Sequence, residues 1–278
     1  MSLPFAVVCL AALDLRVRPD HRAEMGSQLL LGEVVSLGAL RSGWRRVRNL
    51  ADGYSGWVRE WGLVPVTGRR ASAWRSRATA RIVAPIAMLR ASRGSGIGVG
   101  PLFLGSRAIA GRPSGSWIPL ELPDARRGWV ERSAVALPGD AAPPIAERIT
   151  SLLGVPYLWG GRTPAGYDCS AFVQQVLLEQ GISLPRDAAE QRDACRTLRP
   201  GEEPVPGDLA FFADRSGRIG HVGISLSGGA FVHSRGRVAV ASLEPSNPMY
   251  DKDLKPQMVG WFRPLRRPVR RRKQGPVR

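Results

Sequence analysis

Tyr167-Asp168-Cys169-Ser170-Ala171-Phe172 is the stretch on which the fold of this 278-residue chain turns. From Cys169 onward Phe172, Val173, Val176 and Leu177 keep the i+3, i+4, i+7, i+8 spacing of a helix with one packed face, and Gly181 closes the run. The spacing predicts a helix whose first turn holds a cysteine. A second helix is expected over Ile145 to Leu153, ended by Gly154. Downstream the period changes, and strands are expected at Asp208 to Phe212, His221 to Leu226, Gly229 to His233, Val238 to Ser242 and Met258 to Phe262. Helices followed by an antiparallel meander make an α+β domain.

The first half of the chain is organised differently, by an internal repeat. Leu15-Arg16 recurs as Leu89-Arg90, Leu31-Gly32 as Leu104-Gly105, Gly43-Trp44 as Ser116-Trp117, and Gly56-Trp57-Val58 as Gly128-Trp129-Val130. Short apolar runs separated by Gly, Pro, Asp and Ser predict a small all-β barrel for each unit. In that reading Trp44 and Trp57 fill the first barrel, and Trp117 and Trp129 the second. Residues 1–66 and 79–137 are the two units. Thr67 to Ala78, basic and serine-rich, reads as the linker between them, and Leu137 to Pro144 as the linker to a third domain over 140–265.

Composition is globular, at 44% hydrophobic and 23% charged residues. The net charge of +17 comes almost wholly from arginine, since lysine occurs only at 252, 255 and 273. It fits either solvated arginines or attraction to an anionic polymer. The densest basic run, Arg263 to Arg278, reads as a disordered tail, with 266–278 set outside the folded domain. No nucleic-acid motif accompanies it, so specific nucleic-acid binding is not expected. Leu3 to Leu13 is apolar but too short to span a bilayer, and lacks the basic start of a signal peptide. It reads as the first strand of a folded domain, so the expectation is a cytoplasmic protein without membrane association. Three cysteines cannot all pair, and none has metal-type spacing; no metal or organic cofactor is expected.

A cysteine at a helix start, with two of the chain's three histidines downstream, is the raw material of nucleophilic catalysis. Cys169 is the candidate nucleophile, with the helix N-terminus and an imidazole expected to lower its pKa and the first-turn amides available to a developing oxyanion. His221, at the start of an apolar alternating run, is the candidate base. His233, on the next strand, is the group that orients it. Cys9 and Cys195 read as structural. Side chains alternate along strands, so His221 and His233 share a face only if the hairpin between them has an odd loop or a bulge. A plain two-residue turn at Gly228-Gly229 would part them.

Tyr157-Leu158-Trp159-Gly160-Gly161, Asp168-Cys169-Ser170, Leu184-Pro185-Arg186-Asp187-Ala188, Gly220-His221-Val222-Gly223-Ile224 and Phe231-Val232-His233 together resemble the NlpC-type branch of papain-like cysteine peptidases, over 140–265. One departure is Ala171, where that family usually has glycine. The Gly-Trp-Val units over 5–66 and 79–137 resemble bacterial SH3-like domains. The implied fold is two small all-β SH3-like barrels followed by an α+β papain-like domain. The combination is similar to γ-D-glutamyl-L-diamino-acid endopeptidases of cell-wall recycling. The resemblance implies a substrate, a murein-derived stem peptide with a free N-terminal L-alanine, and a first SH3-like domain that reaches into the cleft.

A buried ammonium needs carboxylates. Asp168 is the first candidate to hold it, and the resemblance adds Glu24 and Tyr54, with Glu33 a rival for Glu24. Tyr157, Trp159, Ser170, Arg186 and Asp187 match cleft-lining positions, although Arg186 also reads as an ion pair with Asp187 or another carboxylate. Alternatives are an exported enzyme acting on the intact wall, a catalytically dead wall-binding protein, and an acyltransferase.

Overall fold

A computed structural model describes residues 3–94 and 96–265. The expected tail at 266–278 lies outside the described residues. The first sheet holds β1 (Phe5–Val8), β2 (Ala12–Arg16), β3 (Met25–Leu30), β4 (Val34–Arg41), β5 (Trp44–Asn49), β6 (Ser55–Arg59) and β7 (Leu63–Val66), in the order β3-β2-β6-β5-β4-β1-β7. The apolar start of the chain is therefore a strand of that sheet. The expected linker is a helix, α1 (Gly68–Arg77), capped by the Thr67 hydroxyl. Its Trp74 indole donates to the Gly32 carbonyl at 2.9 Å, which fixes the helix to the first sheet.

The second sheet holds β8 (Ala80–Ile82), β9 (Ile86–Arg90), β10 (Gly98–Phe103), β11 (Arg107–Ala110), β12 (Trp117–Glu121), β13 (Arg127–Glu131) and β14 (Val135–Ala136). Its order, β10-β9-β13-β12-β11-β8-β14, reproduces that of the first sheet strand for strand. The repeated dipeptides touch one another. A Cβ on Gly56 would meet Leu15 Cδ2 at 2.0 Å and the Arg16 carbonyl at 2.8 Å. One on Gly128 would meet the Arg90 carbonyl at 2.6 Å and Leu89 Cγ at 2.7 Å. Leu-Arg and Gly-Trp-Val recur together because only glycine lets these two strands cross so closely.

The tryptophans do not fill the barrels. Val47 and Val58 take the inward positions of β5 and β6, in a core with Leu13, Leu15, Leu29 and Val35. Trp44 and Trp57 alternate with them and lie on the outer face. There they are buried beneath arginines: Arg59 stands 5.2 Å over Trp44, and Arg41 and Arg46 stand 5.5 and 5.9 Å from Trp57. Trp117 and Trp129 likewise alternate with the inward Ile118 and Val130.

The third unit begins with α2 (Ile145–Thr150), a short hairpin of β15 (Arg162–Thr163) and β16 (Gly166–Tyr167), then α3 (Cys169–Glu179) and α4 (Ala188–Asp193). A sheet follows with β17 (Cys195–Thr197), β18 (Leu209–Ala213), β19 (Ile219–Ser227), β20 (Ala230–Arg235), β21 (Arg237–Ser242) and β22 (Met258–Pro264), ordered β17-β22-β18-β19-β20-β21. Helix α3 is buried nearly all round, packed on β19 and β20 through Phe172, Val173, Val176 and Leu177. The other two units dock onto the same helix. Gln174 donates to Asp52 and Gln175 to the Leu104 carbonyl, while Arg81 donates to the Leu178 carbonyl.

Buried Arg148 holds the far end of α3 through Glu179, with Nε to Oε2 at 2.5 Å and Nη2 to Oε1 at 3.2 Å. Removing one partner leaves the other charge buried and unpaired. Glu179→Ala is expected to lower unfolding free energy by about 3–5 kcal/mol, read as a shift in the urea midpoint. A loss below about 1 kcal/mol, the range of an exposed pair, would contradict the buried assignment.

Candidate active site

The site is built on the start of α3. Asp168 has extended backbone, φ −83° and ψ 174°, and its Oδ1 accepts from the Ala171 amide at 2.8 Å. This N-cap puts Cys169 in the first helical position. The Phe172 amide bonds the Asp168 carbonyl, so the amides of Cys169 and Ser170 are left for other acceptors. Ala171 is fully buried against the core, and its methyl packs inside the domain rather than in the cleft.

The two histidines meet because of a bulge. Gly223 pairs with His233, Ile224 with Val232 and Ser225 with Phe231, but Ser227 pairs with Ala230. The turn at Gly228-Gly229 is the two-residue type, and the extra residue, Leu226, restores the common face. His221 Nε2 then lies 2.8 Å from His233 Nδ1. If Nε2 carries the proton, it donates to His233 and leaves His221 Nδ1 as the nitrogen with a free lone pair. Burial lowers the His221 pKa to about 3, helped by His233 and Arg235, and lowers that of His233 to about 4. Both imidazoles are neutral at neutral pH.

The thiol behaves opposite to the expectation from its helix position. Burial first, then the Asp168 charge, push the Cys169 pKa up to about 12. The amides of Val222 and Ser170 and the Arg186 charge pull down without winning. Among the described residues no hydrogen bond joins the thiol to either imidazole. At rest the thiol and both imidazoles are neutral, with no preformed ion pair.

A cleft of about 430 Å³ opens over the thiol. The first unit supplies Glu24 and Tyr54; the third supplies Tyr157, Trp159, Asp168, Ser170, Arg186 and Asp187. His221 and His233 are not part of this lining; His221 follows the lining residue Gly220 in the chain. The sequence reading thus gathered Cys169 and eight residues of this lining. It missed Val17 and Gly26 on the first unit and Arg218 and Ile219 on the third. The position of Arg218, three residues before His221, was the available signal. A cavity of about 530 Å³ beside Arg81, Arg132 and Asp140 holds no cysteine or histidine. Among the described residues no group of three or more His, Cys, Asp or Glu side chains is placed to hold a metal ion.

Two assignments change. Asp168 is already saturated, accepting from Gly160 N, Ala171 N, Ser170 Oγ and twice from Arg186. A carboxylate offers about four lone-pair sites, so Asp168 has no place for a substrate ammonium. Arg186 is the buried half of an ion pair with Asp168, Nη2 to Oδ2 at 2.5 Å, and donates also to Ser170 and Ser27. It reaches the cleft as a wall, and its partner is not Asp187.

The free carboxylates are elsewhere. Asp187 begins α4, but its side chain makes no cap hydrogen bond, and partial burial raises its pKa despite Arg186. Glu24 accepts from the Trp159 indole at 2.7 Å, joining the first unit to the third at the cleft mouth. Glu33, the rival, is held away by buried Arg162 at 3.0 Å. Tyr54 is raised to about 12 by burial and then by Asp187, and Tyr157 to about 12 by burial. Both phenols are proton donors at neutral pH.

Residues 154–258 match the NlpC/P60 family and residues 15–63 the bacterial dipeptidyl-peptidase SH3 domain. The chain is 39% identical over 105 residues to a γ-D-glutamyl-L-lysine dipeptidyl-peptidase of Bacillus subtilis, covering 37% of this chain and 35% of that protein. It is 42% identical over 83 residues to a probable endopeptidase p60 of Listeria innocua, covering 30% and 17%. The chain thus spans about a third or less of the length of these curated relatives. A crystal structure of an NlpC/P60 family protein from Bacillus cereus superposes with TM-score 0.78 at 20% identity, covering 93% of this chain and 98% of that one, and shows the same fold.

The electrostatics set a pH dependence. A raised thiol pKa keeps Cys169 protonated at neutral pH, so its thiolate fraction grows only as pH climbs toward about 12. Alkylation of Cys169 by iodoacetamide, followed by peptide mass spectrometry, is expected to be slower than that of free cysteine at pH 7 and to rise with pH beyond 9. Fast alkylation that is flat from pH 6 upward would show a preformed thiolate and contradict it.

Proposed function

We propose, from an NlpC/P60 cysteine-peptidase domain joined to a bacterial SH3 domain, that the chain hydrolyses the γ-D-glutamyl bond to a diamino acid in murein stem peptides with a free N-terminal L-alanine. The observation that carries the reading is the pair of carboxylates with open lone pairs, Asp187 and Glu24 (which holds only the Trp159 indole), at the Tyr54 end of the cleft that holds Cys169. Such an end suits an ammonium, which must be paired when buried. Two residues of the substrate then lie between that end and the attacked carbon.

In this reading Cys169 Sγ attacks the γ-carbonyl carbon of D-glutamate as its proton passes to His221 Nδ1. Because thiol and imidazole are both neutral at rest, proton transfer accompanies the attack. His233 accepts from His221 Nε2–H and steadies the imidazolium. The amides left free at the start of α3 hold the oxyanion. His221 then protonates the leaving amine, a thioester remains, and water attacks it with His221 again as base. The first unit closes the cleft, so small released peptides are the substrates and the intact wall is not, which fits work in cell-wall recycling in the cytoplasm. The second sheet, with its identical strand order, we take as a second SH3-like domain.

Cys169→Ala is expected to abolish turnover of L-Ala-γ-D-Glu-diaminopimelate, and retained turnover would refute the mechanism. Asp187→Asn is expected to raise KM for that peptide about tenfold with kcat little changed, the mark of lost uniform binding. An unchanged KM would remove Asp187 from the amine site.

A further inference from the structure

The lining of the cleft includes a cation that the reaction does not use. Arg218 lines the cleft together with Ile219 and Gly220, just before His221. In an unbroken strand residues 218 and 221 point to opposite faces. Here β18 and β19 pair as Phe212 with His221, Ala213 with Ile219, and Asp214 with Arg218, which leaves Gly220 as an extra residue. The bulge puts Arg218 back on the His221 side of the ladder.

The Arg218 side chain is 81% exposed, and its contacts to Asp214 are long, at 3.2 and 3.3 Å. Asp214 is itself occupied by the turn, accepting from Ser216 N, Ser216 Oγ and Arg218 N. Nε and Nη2 rest on Asp214 Oδ2, while Nη1 makes no hydrogen bond among the described residues, so the fork keeps donors for a second acceptor. The other arginine of the cleft, Arg186, is consumed by Asp168.

Resting on the function proposed above, we infer that Arg218 recognises a carboxylate at the side-chain end of the leaving diamino acid, so that a diaminopimelate-type residue is preferred to lysine. The direction follows from the chemistry. His221 gives its proton to the leaving amine, so the diamino acid must lie beside His221, and Arg218 is the cation on that side. Diaminopimelate ends in a carboxylate as well as an amine, whereas lysine ends in the amine alone. A guanidinium fork matches a carboxylate in two parallel hydrogen bonds and repels a lone ammonium.

The test compares kcat/KM of the full chain on L-Ala-γ-D-Glu-meso-diaminopimelate, on the same peptide with its side-chain carboxylate amidated, and on L-Ala-γ-D-Glu-L-Lys. Wild type is expected to prefer the first by about 5- to 20-fold. In Arg218→Ala the ratio is expected to fall to near one through loss of diaminopimelate turnover, and Arg218→Lys to retain part of it. Equal wild-type rates on the three peptides would overturn the inference while leaving the proposed function standing. So would a ratio that survives in Arg218→Ala, or an equal loss on all three, which would assign Arg218 to the glutamyl carboxylate common to them. Wild-type turnover of none of them would overturn the proposed function itself.

Discussion

The buried pair of Asp168 and Arg186 holds the site together. One carboxylate caps α3, fixes the Gly160 amide of the preceding loop, and binds a guanidinium that also reaches Ser170 and Ser27. The candidate nucleophile, Cys169, stands next to Asp168 in the chain, so its helix, the loop carrying Tyr157 and Trp159, and the first unit are all positioned by one charge cluster. Buried charges of this kind persist only when every hydrogen-bonding site is filled. That demand fixes geometry and leaves Asp168 no freedom to serve as a substrate contact.

The first unit is a wall of the cleft because its backbone comes very close. A Cβ on Gly160, at φ +74°, would lie 2.2 Å from the Met25 carbonyl, beside Glu24. Buried Arg162 reaches across to Glu33 and the Gln28 carbonyl, and Trp159 reaches to Glu24. The glycine pair after Tyr157-Leu158-Trp159 thus permits the docking that the next residue, Arg162, and Trp159 secure. Burial keeps the Cys169 thiol and both imidazoles uncharged at neutral pH. In the proposed reaction a proton therefore moves during the attack.

The helical period from Cys169 and the alternating runs after 205 were enough to place α3 and the meander, because both elements are packed on one face and show it. The candidate nucleophile and the candidate histidine pair were legible because residue type and order carry the chemistry. Alternation alone left the histidine pair undecided, and the bulge at Leu226, which no residue type announces, settled it. The tryptophans were misplaced because large apolar residues in a small barrel suggest a core, whereas arginines stacked on them from outside supply the burial. Asp168 was misassigned because adjacency to Cys169 was visible, and its long-range partner Arg186 competed for the same oxygens. Helix α4 and strand β17 are too short and too polar to show a period.

The central claim is that the cleft is closed at its amine end and selects free amines. Its most direct test is a competition between L-Ala-γ-D-Glu-diaminopimelate and its N-acetylated form, mixed in equal amounts and followed by mass spectrometry. The account predicts that the free peptide is cut at least about tenfold faster, since acetylation removes the charge that Glu24 and Asp187 would pair and adds bulk at the Trp159 wall. Equal rates of cleavage would contradict it.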